Sequence, residues 1–374
     1  MFREKIIKDS VSFYKAEKYT FCDLKNIASA MGCEINDKKF RPVLKNIQHL
    51  DLSNTEIVHE QLQDLFNYCS NLKTLNISAG KFATLPNLSN LENLQSLNLA
   101  GCTSLTMLPD LSNLKNLRSL NLTRCKSLNT LPDLSNLKEL RNLTLSRCEN
   151  LITSPDLSNL KKLQKLDLSE CKRLAAIPNL SNLAELQILN LYGCDWIIML
   201  PDLSNLKELL KLNLAGCSQL TFPPNLSKLK NLQELSLAEC ESLTSIPDLS
   251  NLEELMKLDL AGCSRLIQLP DLSNLKKLQS LDLSRCLSIN TLPNLSNLEE
   301  LQKLSLSHSK FLTAIPDLSN LKKLQRLYFR GCYSLSAFPN IFQIAQIPTP
   351  SDISNLTAFQ RLYFYGMRFF NKLK

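Results

Sequence analysis

Apolar and polar positions follow one another along most of this chain in a fixed order. In residues 117–139, LRSLNLTRCKSLNTLPDLSNLKE, the apolar positions are Leu117, Leu120, Leu122, Leu128, Leu131, Leu134 and Leu137, joined by Cys125. Together they are the expected core of one unit. Residues 118–123 alternate around Leu120 and Leu122, the period of a short strand with one buried face. After Pro132 and Asp133, Leu134, Leu137 and Leu140 stand three apart, which predicts a turn of 3₁₀ or short α helix on the opposite side. Proline fixes φ, so Pro132 sets the point at which the chain turns back.

The order recurs every 23 residues. Prolines keep that step from Pro86 to Pro339, and Cys102, Cys125, Cys148, Cys171, Cys194, Cys217, Cys240, Cys263, Cys286 and Cys332 keep it too, with Ser309 in the one slot that breaks the cysteine ladder. A fixed period of this length means one supersecondary unit stacked on copies of itself. The expected fold is therefore an α/β solenoid, curved into a horseshoe. Its concave face is a parallel sheet, and its convex face carries the 3₁₀ or short helical turns.

The edges depart from the step. Ile47, Leu50, Leu52 and Thr55 open a 25-residue unit whose return segment, HEQLQDLFNYCSNL, has helical periodicity, and Leu72, Leu75 and Ile77 open one of 22 residues. Residues 324–358 form a 35-residue unit, and Phe359, Leu362 and Phe364 begin an incomplete last one, which makes 14 units over residues 47–366. End units must close the core against water. Residues 1–46 are accordingly expected as a mostly helical cap and residues 367–374 as a C-terminal tail or cap.

The unit resembles the leucine-rich repeats. Their pattern L-x-x-L-x-L-x-x-N/C-x-L is met by Leu117, Leu120, Leu122 and Cys125, with one extra residue before Leu128. The longer LxxLxLxxCxxLxxLPDLSNL is similar to repeats of plant nucleotide-binding immune receptors and of bacterial proteins delivered into host cells. The resemblance implies that the cysteine slot hydrogen-bonds turn backbone inside the coil, and that partners bind the outward side chains of the concave strand face. Effector relatives of the ubiquitin-ligase type carry a separate helical domain with a nucleophilic cysteine, for which this chain has no counterpart.

Charge and cysteine content narrow the function. The net charge is +8, but residues 1–46 carry ten Lys/Arg against six Asp/Glu and residues 324–374 carry six against one, so the array between is neutral. A basic stripe of the nucleic-acid-binding kind is not expected. No apolar run is long enough for a signal-peptide core or a membrane span, which predicts a soluble monomer outside the Sec route, with no integral membrane association. Thirteen cysteines suggest disulfides, but ladder rungs point their Cβ atoms in parallel and not at each other. They are expected as buried free thiols in a reducing, cytoplasmic compartment, a host cytosol included. Cys22, Cys33 and Cys69, outside the ladder, are expected in the core.

No catalytic or cofactor constellation stands out. There is no CxxC pair, Gly-rich phosphate loop, HExxH or GxSxG, and His49, His59 and His308 are far apart in sequence. No enzyme activity, metal or cofactor is expected. Binding is sought instead on the strand face, where two outward rows are mostly small and polar. One row runs through Asn98, Asn121, Asp167 and Asn190, the other through Ala100, Thr123, Ser146 and Ser169. Both change at the C-terminal end, to Arg326, Tyr328, Arg330, Tyr333, Arg361, Tyr363 and Tyr365, with Lys303, His308 and Phe311 one unit earlier. Tyr and Arg anchor protein interfaces, yet aromatics at an array's end also cap the last coil, and both roles stay open. A second candidate is Tyr192 with Trp196, which also fits packing at the rim. Pairs such as Lys165 with Asp167 and Lys257 with Asp259 are expected to pair locally along a strand, and Lys162, Lys277 and Lys323 to be solvated. The leading expectation is a bacterial effector-type recognition protein for a host protein. The alternatives are an adaptor recruiting a ubiquitin ligase through the N-terminal segment, and the ligand-sensing fragment of a larger immune receptor.

Overall fold

A computed structural model describes residues 18–336, in two compact units, Met1–Leu174 and Ala175–Lys374. In the first, β1 (Tyr19–Thr20), α1 (Phe21–Ala30) and α2 (Arg41–Asn46) precede β2 (His49–Asp51), α3 (His59–Tyr68) and β3 (Thr74–Asn76). Four regular coils follow, with strands β4 (Ser96–Asn98), β5 (Ser119–Asn121), β6 (Asn142–Thr144) and β7 (Lys165–Asp167). The second unit holds β8 (Ile188–Asn190), β9 (Lys211–Asn213), β10 (Glu234–Ser236), β11 (Lys257–Asp259), β12 (Ser280–Asp282), β13 (Lys303–Ser305) and β14 (Arg326–Tyr328). Within each unit every strand pairs in parallel with the next, from β2 on leucine on leucine, as in Leu120↔Leu143 and Leu258↔Leu281. Both units are solenoids of parallel strands with little helix.

One coil shows how the sequence builds this. Leu120 is buried between the outward Ser119 and Asn121. Coil-to-coil bonds continue past the strand, Leu122 N donating to Thr144 O at 2.8 Å and Arg124 N to Ser146 O at 2.7 Å. Arg124 adopts φ 62°, and this left-handed residue turns the chain inward. From there the buried residues are linked by i→i+3 bonds, Cys125 N to Leu122 O and Leu128 N to Cys125 O at 3.1 Å, then Leu137 N to Leu134 O and Leu140 N to Leu137 O at 2.9 Å. The expected 3₁₀ turn uses the right bond, but the bond recurs only every third residue, so the return is a chain of turns. Asp133 starts it by accepting from the amide of Ser135 at 2.8 Å, an Asx turn. Leu117, Leu120, Leu122, Cys125, Leu128, Leu134 and Leu137 are buried. Leu131 is not, contrary to expectation: it is half-buried at the rim, where the chain swings out before Pro132.

The cysteine slot also differs from the resemblance. The thiols of Cys125 and Cys148 donate to the carbonyls of Leu99 and Leu122 at 3.2 Å, 26 residues earlier, so the bond ties a coil to its predecessor instead of closing its own turn. Ser309 is no break in this ladder: it is buried, and its hydroxyl donates to Leu283 O at 2.8 Å in the same way.

At the N-terminal edge α1 is closed by a capping box, the amide of Asp23 donating to Thr20 Oγ1 at 3.2 Å and that of Thr20 to Asp23 Oδ2 at 2.7 Å. β1, not foreseen from sequence, adds a parallel strand to β2, and Lys18 pairs with Asp51 there. The helical return of the 25-residue unit is α3, as its periodicity predicts. Of the three cysteines outside the ladder Cys69 is buried, but Cys33 is half-buried and Cys22 exposed, because Cys22 lies on the outer face of α1 while Phe21 and Leu24 turn inward.

Candidate functional site

On β13 and β14 the register sets Lys303 beside Arg326 and Ser305 beside Tyr328, with Leu304 and Leu327 buried between them. The strands' alternation thus sends Lys303, Arg326 and Tyr328 to one outer face. The Lys303 ammonium lies 6.0 Å from the centroid of the Tyr328 ring and 3.3 Å from Asp282 Oδ2. Such a cation over an aromatic face is attracted by the ring quadrupole. Arg330 is exposed and its carbonyl accepts from the amide of His308 at 2.6 Å. His308 occupies the left-handed slot, φ 63°, and its ring rests on Gly331, where a Cβ would come within 2.6 Å of Nδ1. Glycine here is what lets the imidazole lie flat across the next coil.

The structure therefore joins Lys303, Arg326, Tyr328 and Arg330, with His308 along one border. Tyr333 and Phe311 are exposed, but they lie beyond the Cys332 and Ser309 slots, past the turn that ends the strand face. Arg361, Tyr363 and Tyr365 lie outside the described residues. Tyr192 and Trp196 do not join the cluster: the Tyr192 slot is six coils from that of Arg330, about 29 Å at the usual strand spacing. Nor do these two share a surface, since Tyr192 precedes the Gly193 turn and lies against Gly216, while Trp196 follows Cys194 and is fully outward. A packing role for Trp196 is thereby corrected to an exposed one.

Asn and Asp side chains on the strand face do structural work that sequence reasoning missed. Asn98, Asn121, Asp167, Asn190, Asn213, Asp259 and Asp282 each accept from the amide two residues on, at 3.0–3.2 Å. They hold the strand's exit before the left-handed residue. Burial raises the Asp259 carboxyl, against the Ala261 amide that lowers it and with the neighbouring Asp282 charge adding to the rise. Lys257, expected beside Asp259, pairs across coils instead: Glu234 sits between Lys211 at 3.0 Å and Lys257 at 3.2 Å. Three return-side lysines expected to be solvated keep partly exposed side chains and are also paired, Lys162 with Glu139, Lys277 with Glu254 and Lys323 with Glu300, each at 2.6 Å and one coil apart.

Other chemistry is sparse. Among the described residues no three His, Cys, Asp or Glu side chains cluster as metal ligands. No helix there is long and apolar enough to cross a membrane. A cavity of about 470 Å³ opens between α1 and α3, lined by Phe21, Lys25, Ser29, Cys33, Asp64 and Leu65 among others. Burial raises its Cys33 thiol, with the Asp37 charge adding and Lys39 opposing.

The stacked coils, the parallel one-leucine strands and the outward rows define a solenoid repeat protein. A family model of the leucine-rich repeat region matches residues 117–349, and one of the endo-beta-N-acetylglucosaminidase EndoS LRR domain matches residues 55–170. The chain belongs to the leucine-rich-repeat family. Among curated proteins none matches it. Among solved structures it is similar to the LRR protein LIC12759 of Leptospira interrogans, at 28% identity and TM-score 0.69 over 88% of this chain and 84% of that one. It is also similar to a TDR receptor, at 22% identity and TM-score 0.51 over 78% and 57%. The functional domain of InlJ from Listeria monocytogenes, which includes a cysteine ladder, aligns at 22% identity and TM-score 0.47 over 82% and 74%.

Proposed function

We propose that this chain is a non-enzymatic recognition module that binds a protein partner on the outer strand face at β13 and β14. Leucine-rich-repeat proteins bind protein partners. One observation carries the choice of place: a strand row of small polar residues, seven of which hold turns, becomes, at Tyr328, an aromatic ring with the Lys303 ammonium over it and the guanidinium-bearing Arg326 and Arg330 exposed beside it. Large apolar area with polar handles is the chemistry of interface anchors. The bacterial effector-type role, with a host protein as partner, is supported by the repeat resemblance and by the likeness to a Leptospira protein. Work as a monomer in a reducing cytosol is consistent with buried thiols that each donate to a carbonyl.

Affinity capture from a eukaryotic cell lysate tests the site. Tyr328→Ala combined with Arg330→Ala should lose the captured protein at least tenfold, with an unchanged thermal melt. The control, Ser96→Ala with Ser119→Ala on β4 and β5, should lose nothing. Capture equal to the wild type, or a melt lowered together with capture, returns Tyr328 to a capping role.

A further inference from the structure

A second surface, independent of the strand-face reading, lies past the cysteine slot in the unit Ala175–Lys374. Trp196, Ile198, Met199 and Phe222 are exposed by 63, 55, 62 and 62%. The coil register gathers them. Thr221 N donates to Ile198 O at 3.1 Å, so Phe222 stands beside Met199 on the next coil, about 5 Å away. In the following coil the slots of Ile198 and Met199 hold Thr244 and Ser245, so the apolar patch is local. An exposed apolar cluster with a tryptophan at its edge marks an interaction site.

Within this unit, the two coils that carry the patch and the coil after them bear one sign of charge past the left-handed slot. Residues 193–202, 216–225 and 239–248 run from the left-handed slot to the residue after the proline in three successive coils, and contain Asp195, Asp202, Glu239, Glu241 and Asp248 but no Lys, Arg or His. Asp195, Glu239 and Glu241 border the patch toward the strands, and Asp202 and Asp248 border it toward the return. Asp202 and Asp248 are the repeat's turn aspartates, as Asp133 and Asp156 are, but the lack of basic residues is not required by the repeat: the same slots at 124–133, 147–156 and 170–179 hold Arg124, Lys126, Arg147, Lys172 and Arg173 besides Glu149 and Glu170.

We propose that this acid-bordered apolar edge docks a basic amphipathic segment of a protein partner. Its apolar side chains would cover Met199 and Phe222, and its Lys or Arg groups would meet the carboxylates or the face of Trp196. The same charge pattern disfavours an anionic membrane and a second copy of this acidic edge.

Trp196 is the only tryptophan of the chain, so its fluorescence reports this edge alone. A synthetic helical peptide of Leu and Lys with one apolar face should shift Trp196 emission to the blue and shield it from acrylamide, saturably. A Leu and Glu peptide of the same pattern should do neither. Met199→Ser with Phe222→Ser should weaken the response at least tenfold, and Glu239→Gln with Glu241→Gln at least threefold, while Tyr328→Ala leaves it unchanged. These side chains are exposed, and circular dichroism confirms folding of each variant. Equal response to both peptides, indifference to the Met199 and Phe222 changes, or the same shift with phosphatidylserine vesicles or on concentrating the protein alone would overturn the assignment.

Discussion

The Sγ of Cys286 lies 3.2 Å from the carbonyl of Leu260, and one coil later the Oγ of Ser309 lies 2.8 Å from that of Leu283. What the slot demands is a small buried donor. Burial pushes the Cys263 thiol up to about 12, so it stays protonated and able to donate. Ser309→Cys should therefore be near neutral. Ser309→Ala leaves the Leu283 carbonyl only the long 3.4 Å bond from the Cys286 amide, and should cost about 0.5–1.5 kcal/mol, read as a lower urea midpoint with unchanged slope. Equal midpoints for both variants would show that the bond contributes nothing. The slot itself was plain in the sequence, but its partner was not, because the acceptor is a backbone atom of another coil. The left-handed ladder just before it was half visible. Gly101, Gly193, Gly216, Gly262 and Gly331 stand in that slot, while Arg124, Arg147, Glu170, Glu239, Arg285 and His308 fill it elsewhere at the same positive φ and hide it. At Gly216 a Cβ would also come within 3.2 Å of the Gly193 amide nitrogen, so two steric reasons keep that position bare.

At the scale of elements, each strand from β2 on contributes one buried leucine, and many strand exits are fixed by hydrogen bonds to side chains. β2 shows this at the edge of the sheet. Burial works against the Asp51 carboxylate, but hydrogen bonds from Lys18, Ser53 and Asn76 outweigh it and hold the group at about 2, below its ordinary 3.8. A depressed carboxyl stabilises the fold above its unfolded value and ceases to do so as pH falls through its folded one. Asp51→Asn should thus destabilise at neutral pH, and the gap from wild type should close between about pH 4 and pH 2. A gap of constant size across that window would rule out the carboxylate as the cause. Element order was legible where periodicity was strong: the strands, the helical α3 return and the turn at each proline. It failed at the rim, where Leu131 has the right residue type but lies where the coil swings outward. It failed also for β1, two residues without a hydrophobic pattern that are held by pairing with β2. The strand cluster was legible as a change of residue type, whereas the edge around Phe222 lies in slots past the strand face that mostly hold Thr, Ser, Asn or Ala and have no period that marks them.

For the whole molecule, stability follows from each coil's contacts with its two neighbours, so the length of the array should be adjustable by whole coils only. Removing residues 258–280, one 23-residue step, joins Lys257 to Leu281 in register and should leave a folded chain with both proposed surfaces present. Removing residues 258–267 puts Leu269, Leu272 and Leu275 in the slots of Asp259, Gly262 and Arg265 and should abolish cooperative unfolding. Charge adds a finer distinction. Glu254 pairs with Lys277 and Glu300 with Lys323 at 2.6 Å, so the one-coil deletion brings Glu254 beside Glu300. The two-coil deletion of residues 258–303 brings it beside Lys323 and restores the pairing. Exposed pairs of this kind are worth about 0.2–1 kcal/mol and are screened by salt. The one-coil variant should therefore gain stability as sodium chloride is raised from low concentration, and the two-coil variant should not. The reverse order, or a folded product from the half-coil deletion, would mean that coils are not the additive units of this chain.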